Sequence, residues 1–252
     1  HGERDFENET GSPVMGLGLN LGLQLYYQQH LHPDLFDGDT AIVPWAQYWA
    51  WRLSGAAVCE VSSFGAHTDL WNPVQQCPSR MAVRLGWASR FAPFRMAGDR
   101  VGSISPEWVR PCELPADVEI YTGIHDSNAA LPAARAIPEI GENSATMLST
   151  GTWFVAMRSL SNNRSFDIEK LPLDRSCLVN IDPNGRPVPT ALFLGGRELE
   201  LLNAGGDHRI DSDADQQMQL DAALHCISSG AMILPTLTPG IGPFADHKGE
   251  WV

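Results

Sequence analysis

Residues 118–157 read VEIYTGIHDSNAALPAARAIPEIGENSATMLSTGTWFVAM, and the organisation of the chain follows from how this stretch alternates. A β-branched run opens it, a turn carries Asp126, an Ala- and Leu-rich segment follows, and charged or polar residues break the chain at 139–143. A second apolar run is then interrupted by Ser149-Thr150-Gly151-Thr152. The succession predicts strand, turn, helix, break and strand, with two polar turns close together.

The first turn, residues 123–130 (GIHDSNAA), places a carboxylate where a strand hands over to a helix. As an N-cap, Asp126 would accept a backbone N–H and steady the helix start by roughly 1 kcal/mol. As a general base, it would take a proton from a bound hydroxyl. The second turn, residues 148–153 (LSTGTW), offers hydroxyls and a glycine that lets a backbone approach a ligand. It suits phosphate oxygens cradled by successive N–H groups, and equally a tight hairpin.

The pair GIHDSNAAL and STGTW resembles the FGGY carbohydrate kinases, in which an Asp-centred turn ends the first domain and a Gly-Thr turn opens the second. Residues 48–55 (YWAWRLSG) and 62–73 (SSFGAHTDLWNP) are similar to two further segments of that family, most like branches acting on ketoses such as rhamnulose, fuculose, xylulose or ribulose. The four matches occur in order over nearly the whole chain and are weakest between 158 and 189. The resemblance implies an α/β protein of the ribonuclease-H-like actin/hexokinase ATPase fold, two domains around a cleft. Residues 1–140 would be the later part of the sugar-binding domain and 141–252 the first part of the ATP-binding domain. The start at HGERDFENETGSP and the end near 242–251 make the chain an expected internal fragment, lacking an upstream phosphate hairpin and a downstream adenine-contacting segment.

Composition narrows the function classes. With 252 residues, 43% of them hydrophobic, the chain can bury a sizeable core. A net charge of -13 and no basic run argue against a nucleic-acid surface, because phosphate backbones call for clustered Lys and Arg. ATP is not excluded, since backbone amides and Mg²⁺ can build a phosphate site locally. The five cysteines are widely spaced without a Cys-x-x-Cys pair, which favours reduced thiols and a cytoplasmic setting over disulfides or zinc. No apolar run approaches the roughly 18 residues of a membrane span, and no leader pattern appears.

Elsewhere the pattern is plainer. The glycines at 16, 18 and 22 follow no β-run, so residues 16–32 read as a loop entering a helix, with Leu21, Leu25 and Leu31 inward and a stop before Pro33. Residues 41–54 hold Trp45, Tyr48, Trp49 and Trp51, which predict a helix packing its aromatics into the core, or alternatively a sugar-stacking surface. Residues 59–64 read as a strand leading to His67 and Thr68, and a helix within 73–87 would turn Met81, Leu85 and Val83 inward. His67 taken alone reads as a structural hydrogen-bonder and fits no metal-ligand spacing. Residues 161–174 read as a surface loop, 177–181 as a strand, 182–186 as a hairpin turn and 190–202 as strand, Gly195-Gly196 turn and helix. An acidic solvated helix follows at 211–219, and 229–244 read as a strand ending in a loop.

The resemblance implies ATP-dependent phosphorylation of a sugar hydroxyl, with ATP and Mg²⁺ as cofactors, Asp126 as catalytic base, Gly151 and Thr152 on the β/γ-phosphates and Gly196 nearer the α-phosphate. His67, Thr68, His125 and Asn128 are the substrate-side candidates, and no residue is assigned as a metal ligand. Partners are a small-molecule sugar and, as an open expectation, a second copy in a homodimer, with neither nucleic acid nor membrane. Two alternatives stand beside this: a non-catalytic sugar- or nucleotide-binding remnant of such a kinase, and an acetate- or glycerol-kinase-like relative of the same superfamily.

Overall fold

The computed structural model describes residues 3–15, 18–141, 143–161, 167–203 and 211–247. Gly16, residues 162–166 of the expected surface loop, and residues 248–251 of the segment likened to the second-domain interior lie outside them.

The first half is built from α1 (Glu3–Thr10), α2 (Leu21–Leu31), α3 (Trp45–Ser54), β1 (Cys59–Glu60), α4 (Val61–Phe64), β2 (Trp71–Asn72), β3 (Cys77–Pro78), α5 (Arg80–Arg84), β4 (Phe94–Arg95), β5 (Arg100–Ser103), α6 (Pro106–Val109), β6 (Glu119–Tyr121) and α7 (Asp126–Arg135). Its strands form short pairs, β1 with β4 in parallel and β2–β3 and β5–β6 antiparallel. The core gathers Phe64, Leu70, Trp71, Ala82 and Trp87, with Ile181 inserted from the other half.

The second half is a four-stranded antiparallel sheet in the order β7 (Ala145–Thr150), β8 (Phe154–Ser159), β10 (Pro187–Phe193), β9 (Cys177–Ile181), followed by α8 (Gly195–Leu202) and α9 (Asp213–Ser229). The β9–β10 hairpin closes on Asp182, whose Oδ1 accepts the amides of Asn184 and Arg186 at 2.9 Å each. Between the halves, Arg135 at the end of α7 donates to Ser159 Oγ at 2.9 Å and to the carbonyls of Gly141 and Asn143 at 2.6 and 3.0 Å. One guanidinium thereby holds Gly141 and Asn143 of the polar break.

Several expectations are corrected. The run at 59–64 is a strand for two residues only: Glu60 is buried and its carboxylate accepts the amides of Ser62 and Ser63 at 2.9 and 3.0 Å, capping α4. Helix α3 does not bury its aromatics. Gln47 and Ala50 face inward, with Gln47 Nε2 donating to Thr122 O at 3.2 Å, while Trp45 is 73% exposed and stacks on Tyr48. Leu31 and Val83 are exposed, Ala82 taking the inward place in α5. Residues 229–244 contain no strand among the described residues: α9 runs to Ser229 and stops at Gly230, whose φ of 73° fits the left-handed cap.

All five cysteines are free thiols. Among the described residues no helix is long and apolar enough to cross a membrane.

Candidate active site

The chain leaves β6, turns through Gly123 and enters α7. His125, with φ of -59° and ψ of 135°, occupies the N-cap position without a side-chain capping bond, and Asp126 is the first helical residue. The expected N-cap use of Asp126 is thus displaced by one position. Its Oδ1 accepts the neighbouring amide of Ser127 at 2.6 Å, and its side chain is 92% exposed. A solvent-reaching carboxylate at a helix start is free to accept a proton.

Asp126 borders a cavity of about 210 Å³ between the two halves. His67, His125 and Ser127 come from the first half, and Trp153, Leu178 and Asn180 from the sheet opposite. His67, His125 and Asp126, singled out in the sequence, thus border one cavity. The two imidazoles meet edge to face, 6.4 Å apart between ring centres. Burial is the main influence on both and pushes both pKa values down, so each ring is held neutral. His125 Nε2 lies 3.3 Å from Asp126 Oδ1, and the Nδ1 atoms of both histidines are buried without a partner among the described residues.

His67 reaches the cavity because the chain bends sharply there. His67 and Asp69 both have positive φ, 45° and 66°, a conformation uncommon for residues with a Cβ. The bend turns Thr68 inward: it is buried, and its hydroxyl donates to Phe64 O and accepts the Leu70 amide. Thr68 is accordingly a turn-forming residue outside the cavity. Asn128, a substrate-side candidate from sequence, is fully buried in α7 and donates to Ile181 O at 2.9 Å, joining the halves and lying outside the cavity lining.

Asp69 was not singled out by sequence. It is buried, accepts Asn20 Nδ2 at 2.8 Å, and burial pushes its carboxyl up to about 7. Asn20 Oδ1 in turn accepts the Met15 amide at 2.9 Å, and Met15 and Leu19 wall the cavity.

Gly151, Thr152 and Gly196 are brought together. The exposed Gly151-Thr152 tip joins β7 to β8, and Gly196, in the first turn of α8, donates its amide to Thr152 O at 3.2 Å. A Cβ on Gly196 would stand 2.3 Å from Gly151 O, so the close approach of the two turns requires glycine. Gly151 N–H is also engaged, to Trp153 O at 3.1 Å. The Gly151 amide, which the resemblance placed on the β/γ-phosphates, and the amide of Gly196, expected nearer the α-phosphate, are both engaged within the protein, and the exposed Thr152 side chain stands at the tip. Among the described residues no group of three His, Cys, Asp or Glu side chains could hold a metal ion. A single open carboxylate beside a cleft suits Mg²⁺ carried on nucleotide phosphates, which keeps most of its water ligands.

Asn180 and Trp153 were also missed by the sequence analysis. The signal for Asn180 was there: a carboxamide inside CLVNI, in a strand that reads as buried throughout, needs a polar reason.

Residues 142–252 match the family model for the carbohydrate kinase FGGY C-terminal domain. The crystal structure of a carbohydrate kinase from Novosphingobium aromaticivorans is similar over 98% of this chain and 53% of its own, with 50% identity and a TM-score of 0.82. Xylulose kinase from Rhodospirillum rubrum matches 99% of this chain and 49% of its own at 17% identity and a TM-score of 0.66. Plasmodium falciparum glycerol kinase with ADP matches the same shares at 15% identity and a TM-score of 0.68. The chain spans about half the length of these structures. The fold is the actin/hexokinase-like ATPase fold, as expected from the sequence.

Proposed function

We propose that the chain, whose residues 142–252 match the FGGY C-terminal domain, is part of an FGGY carbohydrate kinase and serves ATP-dependent phosphorylation of a sugar hydroxyl, with a ketose as the acceptor. The observation that carries this reading is the cavity itself: an exposed carboxylate, Asp126, faces it from one half, and the strand leaving the Gly151-Thr152 turn faces it from the other. In this reading residues 1–140 supply the sugar side and 141–252 the nucleotide side.

Phosphoryl transfer asks a protein chiefly for positioning and charge stabilisation. ATP with Mg²⁺ would supply the phosphoryl group and neutralise its developing charge. Asp126 accepts the proton of the attacking hydroxyl. His125 orients that carboxylate from 3.3 Å, its neutral ring able to donate from Nε2. His67 forms the neighbouring wall of the sugar pocket. Thr152 would meet the terminal phosphates through its side chain, while Gly196 acts by allowing the two turns to touch. Trp153 and Leu178 keep the pocket dry, which limits transfer to water. The setting is cytoplasmic in this account, and the GAHTDLWNP segment is what favours a ketose over other acceptors.

The test is ADP release by the protein expressed from its full reading frame, with xylulose, ribulose, rhamnulose, fuculose, gluconate, glycerol or no acceptor. Release that depends on a ketose supports the proposal; release that is absent or independent of every acceptor overturns it.

A further inference from the structure

Asn180 is 4% exposed, in a strand whose neighbours Leu178, Val179 and Ile181 are wholly buried. A carboxamide in such a place is costly unless both its ends are paired. One end is: Nδ2 donates to Thr190 Oγ1 at 3.2 Å on the adjacent strand. The Thr190 hydroxyl spends its single proton on Val188 O at 3.0 Å, so toward Asn180 it can only accept. That fixes the orientation of the amide, with Nδ2 toward Thr190 and Oδ1 on the other side. Oδ1 is buried and has no partner among the described residues, and Asn180 lines the cavity that Asp126 borders.

A second atom of the same cavity has the same need. Nδ1 of His125, whose Nε2 lies 3.3 Å from Asp126 Oδ1, is likewise buried and without a partner among the described residues. The Asn180 oxygen can only accept, which disfavours a phosphate oxygen beside it and calls for a hydroxyl group, and an imidazole nitrogen can pair with a hydroxyl in either tautomer. Leu178, Val155 and Trp153 beside them suit the carbon skeleton of a polyhydroxylated ligand.

We propose that Asn180 is a specificity-determining residue for the phosphoryl acceptor, accepting a hydrogen bond from one of its hydroxyls across the cleft from Asp126. The second sheet thereby contributes to acceptor choice as well as to the nucleotide side. This deepens the sugar-kinase reading and rests on it.

The experiment compares unaltered protein with Asn180→Leu and Thr190→Val, measuring ADP release against xylulose, ribulose, gluconate and glycerol, with calorimetric binding of the same acceptors. Asn180→Leu is expected to raise the KM for the preferred acceptor about tenfold while the KM for ATP stays within about twofold. Thr190→Val, which leaves Asn180 in place but frees its amide to rotate, is expected to raise the acceptor KM by a smaller factor, about two- to fivefold. If Asn180→Leu does not fold, Thr190→Val carries the comparison. Unchanged acceptor KM in the folded variants, with transfer intact in the unaltered protein, overturns the role of Asn180 alone. Neither transfer to nor binding of any acceptor by the unaltered protein overturns the kinase reading and this inference with it.

Discussion

Asn128 Nδ2 donates to the main-chain carbonyl of Ile181 at 2.9 Å, joining the helix that begins at Asp126 to the strand that carries Asn180. The side chain of Ile181 then enters the core of the first half, where a Cβ on Gly65 would lie 2.3 Å from it. Beside the Arg135 contact to Ser159, this amide and this isoleucine help to set the two walls of the cavity relative to each other. Neither residue touches the cavity itself.

Replacing Asn128 with Ala removes that amide and leaves Ile181 O, in a fully buried setting, without its side-chain donor. A loss of about 1–3 kcal/mol is expected in urea unfolding. Turnover should fall in parallel, because the two walls lose one of the bonds that join them.

Gly196→Ala reverses the usual rule for helices. Alanine ordinarily gains up to about 1 kcal/mol over glycine within a helix. Here the added Cβ would lie 2.3 Å from Gly151 O and 2.9 Å from Thr152 Cα, both backbone atoms that cannot swing aside. The variant should melt below the unaltered protein, and its KM for ATP should rise more than its KM for the acceptor. A higher melting temperature would show that the two turns are not packed as described.

The stability of the protein should depend on pH in two opposed ways. The buried His67 and His125 have pKa values below their ordinary 6.5, so between those values the unfolded chain binds more protons. Their contribution is complete above about pH 6.5 and is lost as pH falls. Asp69 is raised from 3.8 to about 7, so the folded chain binds its proton more tightly. Its contribution is present at low pH and lost as pH rises through about 7. Asp69→Asn, which keeps an oxygen for Asn20 and tolerates the positive φ, should therefore stabilise the protein at pH 8 by up to about 4 kcal/mol and little at pH 4. Thermal melts at pH 4, 6 and 8 decide this, and His125→Gln in the same series should flatten the acid limb.

Local residue chemistry made much of this legible. The turn chemistry of Asp182 to Arg186 and the strand at Cys177–Ile181 are set by neighbours in sequence and appear where the pattern puts them, while the glycines expected as a turn before the helix are its first two residues. The aromatic helix did not, because its composition says only that the rings are apolar; which face of α3 meets β5 is decided by the small Ala50 and by Gln47 reaching Thr122 O. Strand was expected at 59–64 because periodicity cannot see Glu60 fold back to cap the next turn. At the site, His67, His125 and Asp126 were legible as short motifs. Thr68 was not separable from His67, since only the positive φ at 67 and 69 sends their side chains to opposite sides. Asn180 and Asp69 depend on partners distant in sequence, Thr190 and Asn20, and so emerge only from the fold.

The central claim is that Asp126 is the base that takes the acceptor proton. The most direct measurement is sugar-dependent ADP release by Asp126→Asn beside the unaltered protein, with ATP binding followed by calorimetry on both. The side chain is exposed and makes no long-range bond among the described residues, so the substitution should leave the fold intact. The account predicts turnover reduced by at least about a hundredfold with ATP affinity nearly unchanged. Turnover equal to that of the unaltered protein would remove Asp126 from the role and contradict the account.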